Sequence, residues 1–286
     1  MRHVDGPDFI CIGMGQAGTG WLYDQLSVHP DFWMPQIKEI RYLNQKVPKM
    51  GGAAKRLQRG NRRTGHSGKP HPLEASDRHF LETAVMIGGQ PMDVAQYAKM
   101  FGMKGDRLTG DITPGYITLS ESVIEQIATH LTHVKIVLLL RDPVSRRWSA
   151  ICKRHRAGRF DESLLDDPER FRTFLDELGK AEKSPTKAIE RWARIAPKVP
   201  FRYFFFDDLV TRPDWIRREI LSYLGADSEK QSAELPAGYN RKAAHAKLEL
   251  TPPIQAVLVD HLRHELRACS EQLGEHARSW AARYGV

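Results

Sequence analysis

The sequence FICIGMGQAGTGWLYDQL, residues 9–26, joins three patterns in one short stretch. An apolar run leads into a turn rich in glycine, and an amphipathic helical pattern follows the turn. Backbone N–H groups at the start of such a helix point outward, and the helix dipole favours an anion there. A strand, a glycine turn and a helix in this order therefore predict a phosphate-binding loop.

The turn departs from the pattern of a nucleoside triphosphate site. The Walker motif requires glycine, four residues, and then Gly-Lys-Ser/Thr. Counted from the first glycine, the spacing reaches Gly18, but Thr19 and Gly20 follow it, so the lysine and the Mg²⁺-binding hydroxyl are both missing there. The strongest predicted strand, residues 134–140, runs into Arg141 and not into a Walker-B carboxylate. These differences disfavour a P-loop kinase.

The composition is typical of a soluble globular protein, with 41% hydrophobic and 27% charged residues. The net charge of +8 suits a polyanionic ligand, and because no nucleic-acid-binding module is recognisable, we expect no nucleic acid partner. The three cysteines are far apart, so we expect neither a disulfide framework nor a metal site. The chain shows neither the apolar segment of a signal peptide nor a run long enough to span a membrane, and we expect a cytoplasmic protein.

Apolar runs alternate with helical patterns along most of the chain. This alternation predicts an α/β fold, a P-loop-type open parallel sheet flanked by helices, in a single domain of residues 1–286. Residues 44–90 show little periodicity and are predicted to form a long loop or insertion. The predicted strands are 9–13, 107–111, 134–140 and 201–206, and the predicted helices include 19–28, 92–101, 120–131, 143–155, 213–224, 253–273 and 275–282.

A second anion site is predicted after the third strand. Ligands in such sheets bind at the carboxyl ends of the strands. Arg141 ends the strand, and Ser149 lies two turns into the helix that follows. An arginine fork and a hydroxyl suit a second phosphate, although an ion pair and a surface serine would give the same pattern.

Together these elements resemble the sulfotransferases that use 3′-phosphoadenosine-5′-phosphosulfate (PAPS). The resemblance covers approximately residues 8–43 and 105–245, and it implies the sulfotransferase fold and sulfuryl transfer from PAPS to a hydroxyl or amine. It also rests on four shorter motifs: His29-Pro30, KEIRY at 38–42, GDITPGY at 110–116, and a strand followed by DDL at 204–209.

The resemblance also implies how the donor is bound, without a metal. Arg141 and Ser149 match the residues for the 3′-phosphate, and Arg241 and Lys242 match a basic loop over the nucleotide. Trp21 matches a tryptophan that stacks on adenine, although ordinary core packing would also explain it. The residues that match the 5′-phosphosulfate loop are Gln16, Ala17, Gly18, Thr19, Gly20, Trp21 and Leu22.

An alcohol acceptor needs a base. Glu39 matches the glutamate of the carbohydrate sulfotransferases, although a structural ion-pair partner would also explain it, and Asp111 is the alternative base. Lys38 either stabilises the charge in transfer or lies on the surface. Three histidines of the long loop, His66, His71 and His79, are further candidates for the acceptor site.

Gln16 departs from the family pattern, which has lysine at this position. The loss of a charged donor raises a barrier by about 2–4 kcal/mol. Three explanations stay open: Lys38 or Arg41 supplies the charge, the enzyme is slow, or the protein binds PAPS or its product without turnover. The acceptor is predicted to be a carbohydrate or small molecule, and the basic residues within 42–100 suggest an anionic one. The oligomeric state stays open.

Overall fold

In a computed structural model of the chain, four parallel strands form the central sheet. Strand β1 (Phe9–Gly13) is fully buried and lies between β4 (Gly110–Ile112) and β5 (Lys135–Leu140). Strand β6 (Phe201–Phe205) pairs with the outer side of β5. Because all four strands are parallel, the loops that follow them emerge at one edge of the sheet, where ligands bind in folds of this class.

The structure describes residues 6–60, 62–64, 70–179, 184–230, 235–239 and 248–286. Short strands β2 (Arg62–Thr64) and β3 (Pro70–Pro72) form a separate antiparallel pair. The helices are α1 (Thr19–Ser27), α2 (Gly51–Gly60), α3 (Ala75–Ile87), α4 (Val94–Lys99), α5 (Glu121–His130), α6 (Pro143–Arg156), α7 (Pro168–Gly179), α8 (Pro185–Ile195), α9 (Phe206–Thr211), α10 (Pro213–Leu224), α11 (Pro252–His261), α12 (Arg263–Gln272) and α13 (Glu275–Arg283). Two 3₁₀ helices span Pro114–Thr118 and Glu162–Asp166.

The α/β class and the central parallel sheet are as predicted. The bounds of β1, β5 and β6 lie within one residue of those predicted. The second predicted strand is shifted, because β4 begins at Gly110, and Leu108 forms only an isolated bridge with Phe32.

The prediction of a long loop over residues 44–90 is wrong. This region contains α2, the β2–β3 pair and α3. Helix α3 buries Phe80, Ala84 and Ile87, a spacing that places them on one helical face. It begins with a capping box between Glu74 and Asp77.

The predicted helix 253–273 is also wrong as one element. Leu262 ends α11 and caps the start of α12, so the chain forms two helices there.

Candidate functional site

The glycine turn joins β1 directly to α1. Gly18 is the N-cap of α1 and has φ of 98°, a left-handed conformation that favours glycine. A Cβ atom on Gly18 would lie 2.9 Å from Cδ1 of Leu209, so α9 leaves no room for a side chain. The first turn of α1 contains no acidic residue. The helix therefore presents its N-terminal amides and the positive end of its dipole.

Gln16 connects the turn to the second predicted anion site. Its backbone carbonyl accepts a hydrogen bond from Nη1 of Arg141 (2.9 Å), and its side-chain oxygen accepts one from the Ser149 hydroxyl (3.2 Å). Its φ of 67° is unusual for a residue with a side chain. The structure thus brings Arg141 and Ser149 together beside the glycine turn.

Phe206 holds the guanidinium of Arg141, a contact that the sequence reasoning missed. The Arg141 Cζ atom lies 4.4 Å from the centroid of the Phe206 ring, in cation–π geometry. The same ring lies 3.4 Å from the position of a Cβ on Gly18. Burial lowers the pKa of Arg141 from its ordinary value, yet an arginine stays protonated. The available signal was the position of Phe206, directly after β6 and before the two aspartates.

Lys38 lies at the amino end of α1. Its Nζ atom is 3.4 Å from the position of a Cβ on Gly20, and it stacks 5.6 Å from the centroid of the Tyr23 ring. A cation at the start of a helix opposes the helix dipole, whereas an anion bound there would be attracted to both. The structure therefore brings Lys38 to the glycine turn.

Glu39 and Arg41 form an ion pair beside Lys38. The Arg41 Nη2 atom lies 2.8 Å from the Glu39 Oε2 atom, and the Glu39 side chain is 34% exposed. Among the described residues, Gln16, Glu39 and Arg41 are the non-glycine residues with positive φ. Such conformations cost free energy and cluster at functional sites.

Asp111 lies beneath this segment and is fully buried. Its carboxylate accepts hydrogen bonds from the hydroxyls of Thr113 (2.7 Å), Tyr116 (2.8 Å) and Tyr97 (3.0 Å). Burial raises the pKa of Asp111 to about 6, while these hydroxyls and the Ile40 amide act in the opposite direction. Asp111 is 1% exposed, and these contacts suit a carboxylate that positions residues 40–41.

Trp21 anchors α1 to a later segment. Its indole N–H donates to the carbonyl of Ala237 (2.6 Å), and the Gln25 amide donates to the carbonyl of Pro236 (3.0 Å). The indole edge therefore has a structural role. Arg241 and Lys242 lie outside the described residues, a few positions further along.

Of the three histidines predicted near the acceptor, His79 is the one whose side chain the structure describes, and it is engaged elsewhere. The His79 Nε2 atom pairs with the backbone oxygen of Lys99 (2.7 Å), at the end of α4. His66 and the side chain of His71 lie outside the described residues. Within the described ranges, no group of His, Cys, Asp and Glu side chains could hold a metal ion. In that part of the chain no helix has the length and apolarity needed to cross a membrane.

A family model described as the sulfotransferase family matches residues 7–230, so the chain belongs to that family. A sulfotransferase from Alicyclobacillus acidocaldarius has a similar structure, with a TM-score of 0.62 and 18% identity over 97% of this chain and 99% of that one. The sulfotransferase domain of the olefin synthase from Synechococcus PCC 7002 is also similar, with a TM-score of 0.50 and 15% identity. The match covers 96% of this chain and 98% of that domain. At these identities the likeness shows the fold. No curated protein matches the sequence significantly.

Proposed function

We propose that the protein transfers the sulfuryl group of PAPS to a hydroxyl or amine of a carbohydrate or small-molecule acceptor. One observation carries this proposal: the glycine turn and the strand-end pair Arg141 and Ser149 meet at Gln16. Two anion sites side by side suit a nucleotide with phosphates at both its 5′ and 3′ positions. ATP has no 3′-phosphate and would leave one of the sites unused.

The donor site would use both kinds of anion ligand present here. The N-terminal amides of α1 and the Thr19 hydroxyl would bind the 5′-phosphate, with Lys38 beside them. Arg141 and Ser149 would bind the 3′-phosphate, because a guanidinium matches the geometry of phosphate oxygens. Two features of α1 support this assignment: Gly18 begins the helix in a left-handed conformation, and no acidic residue lies in its first turn.

PAPS supplies the sulfuryl group, carried on its 5′-phosphate. Glu39 would take the proton of the acceptor as the acceptor oxygen or nitrogen bonds to sulfur. Lys38 would stabilise the electron pair left on the bridging phosphate oxygen when its bond to sulfur breaks. Gln16 carries no charge and bonds Ser149, so Lys38 takes the role of the lysine that the family usually has in the turn.

A second candidate is a protein that binds PAPS or its product without turnover, favoured by the neutral Gln16. Radiolabelled sulfate in PAPS distinguishes the two candidates. Incubation with a panel of neutral and acidic glycans and small hydroxyl or amine compounds should give a labelled product that the Glu39→Gln variant fails to form. Tight binding of adenosine 3′,5′-bisphosphate with no labelled product from any acceptor would favour the second candidate. Tighter binding of ATP than of the bisphosphate would contradict both.

A further inference from the structure

The last helix, α13, docks at the edge of the sheet that carries the site. It does so through three carboxylates that follow β5 and β6, each of which pairs with a polar side chain of α13 or its C-cap. The pairs are His276–Asp208 (3.0 Å), Trp280–Asp207 (3.1 Å) and Tyr284–Asp142 (2.6 Å). These residues of α13 lie beyond the part of the chain that the family model matches.

The pair with Asp142 is the one nearest the candidate site, because Asp142 directly follows Arg141. The Oδ1 atom of Asp142 accepts from the backbone N–H groups of Val144 (2.9 Å) and Ser145 (3.4 Å). Its Oδ2 atom accepts from the Ser145 hydroxyl (2.9 Å), from Arg283 Nη1 (3.2 Å) and from the Tyr284 hydroxyl (2.6 Å). A carboxylate offers about four lone-pair sites. These donors therefore fill the acceptor capacity of Asp142.

Because its acceptor sites are filled, Asp142 is not available to pair with the neighbouring Arg141. An arginine beside an ionised carboxylate readily forms a bidentate ion pair with it. Here the guanidinium of Arg141 instead bonds the carbonyl of Gln16 and stacks on Phe206, so it lies against the glycine turn. We propose that Arg283 and Tyr284, together the α13 latch, occupy Asp142 and so keep Arg141 directed at a phosphomonoester bound beside the turn. This inference rests on the proposed function, in which Arg141 binds the 3′-phosphate.

Tyr284 is the stronger member of the latch. Its hydroxyl makes the shorter bond (2.6 Å against 3.2 Å), and the Arg283 side chain is 53% exposed. Burial and the bond to Asp142 raise the pKa of Tyr284 to about 12, so its hydroxyl keeps the proton that it donates. Tyr284 touches no reacting atom, and we assign it as a positioning residue.

Tyr284→Phe tests the latch without changing the charge of the protein. We would measure the binding of adenosine 3′,5′-bisphosphate and of adenosine 5′-monophosphate by calorimetry. The variant loses the hydrogen bond from Tyr284 to Asp142, so Asp142 can draw Arg141 away from the 3′-phosphate. It should therefore bind the bisphosphate about five- to tenfold more weakly than wild type does, and the monophosphate within about twofold of wild type. Tyr223→Phe is the matched control, because this half-buried hydroxyl donates to the Ile136 carbonyl (3.1 Å) at the other end of β5. The control should bind both nucleotides as wild type does.

A second background shows whether Tyr284 acts through Asp142. Asparagine still caps a helix but forms no ion pair with arginine. In an Asp142→Asn protein, the further change Tyr284→Phe should therefore leave the affinity for the bisphosphate within about twofold of that of Asp142→Asn alone. Two results would overturn the proposed role of the latch. One is that Tyr284→Phe lowers the affinity for the bisphosphate as much in the Asp142→Asn protein as in wild type. The other is that Tyr284→Phe in wild type lowers the affinity for both nucleotides equally. If wild type prefers the bisphosphate and Tyr284→Phe does not alter this preference, the latch alone fails. If wild type shows no preference, the proposed function fails and the latch fails with it.

Discussion

Replacing Lys38 by methionine tests whether the positive charge for catalysis comes from outside the glycine turn. Methionine keeps the unbranched apolar stem and removes the ammonium group. The Lys38 Nζ atom lies 3.4 Å from the position of a Cβ on Gly20, in the first turn of α1. Two unit charges about 4 Å apart attract each other by about 1 kcal/mol in water and about 4 kcal/mol at an effective dielectric constant of about 20. A partly enclosed site falls between these limits, so we expect a barrier higher by about 3 kcal/mol, or a kcat lower by about 100-fold.

The assay is steady-state sulfuryl transfer with saturating acceptor, together with the Kd of adenosine 3′,5′-bisphosphate. Because the charge on the leaving oxygen grows in the transition state, kcat should fall much more than the KM for PAPS rises. Adding Gln16→Lys to Lys38→Met should recover part of the lost rate, and Gln16→Lys alone should keep or raise the activity of wild type.

Lys135→Met is the matched control. Lys135 also stacks on a tyrosine, with Nζ 5.7 Å from the centroid of the Tyr223 ring, but it begins β5 at the opposite edge of the sheet. Its loss should leave kcat unchanged. A fall in kcat of less than about fivefold for Lys38→Met would refute the role of Lys38, since a charge in contact with the leaving group is worth more. So would an equal fall for Lys135→Met.

Three further variants test the rest of the site. Glu39→Gln should lower kcat by about 10²–10⁴-fold, the usual contribution of a general base, with unchanged binding of adenosine 3′,5′-bisphosphate; an active variant would assign the base elsewhere. Because burial raises the pKa of Asp111 from 3.8 to about 6, the folded protein holds a proton that the unfolded chain releases, and the contribution of Asp111 to stability should fall as the pH rises through this window. Asp111→Asn should remove that loss in urea unfolding between pH 4 and 7, and a pH dependence equal to that of wild type would contradict this cause. Gly18→Ala should cost about 1–3 kcal/mol of unfolding free energy and weaken nucleotide binding, because its Cβ would meet Leu209; full stability and affinity would show that the turn adapts.

The sequence predicted the elements whose signal is local. The apolar run of β1, the glycines after it and the arginine that follows β5 are each predicted from residue types at fixed spacing, and they lie where expected. The family resemblance likewise depended on motifs of a few residues each, and the family match over residues 7–230 confirms it.

The contacts that complete the candidate site depend on chain segments far apart in sequence. Lys38 reaches Gly20 only because the chain between them folds back, and Tyr284 meets Asp142 across 142 residues. Gln16, whose side chain accepts the bond from Ser149, has a positive φ that no pattern predicts for glutamine. Helix α3 is different, because the helical spacing of Phe80, Ala84 and Ile87 was readable in the sequence. The glycine- and proline-rich segment before it concealed this signal.

The most direct test of the account is a crystal structure with adenosine 3′,5′-bisphosphate bound. We predict the 5′-phosphate at the amides of residues 17–20 with Lys38 beside it, and the 3′-phosphate on Arg141 and Ser149. A nucleotide that leaves Arg141 and Ser149 on Gln16 and binds away from the glycine turn would contradict it.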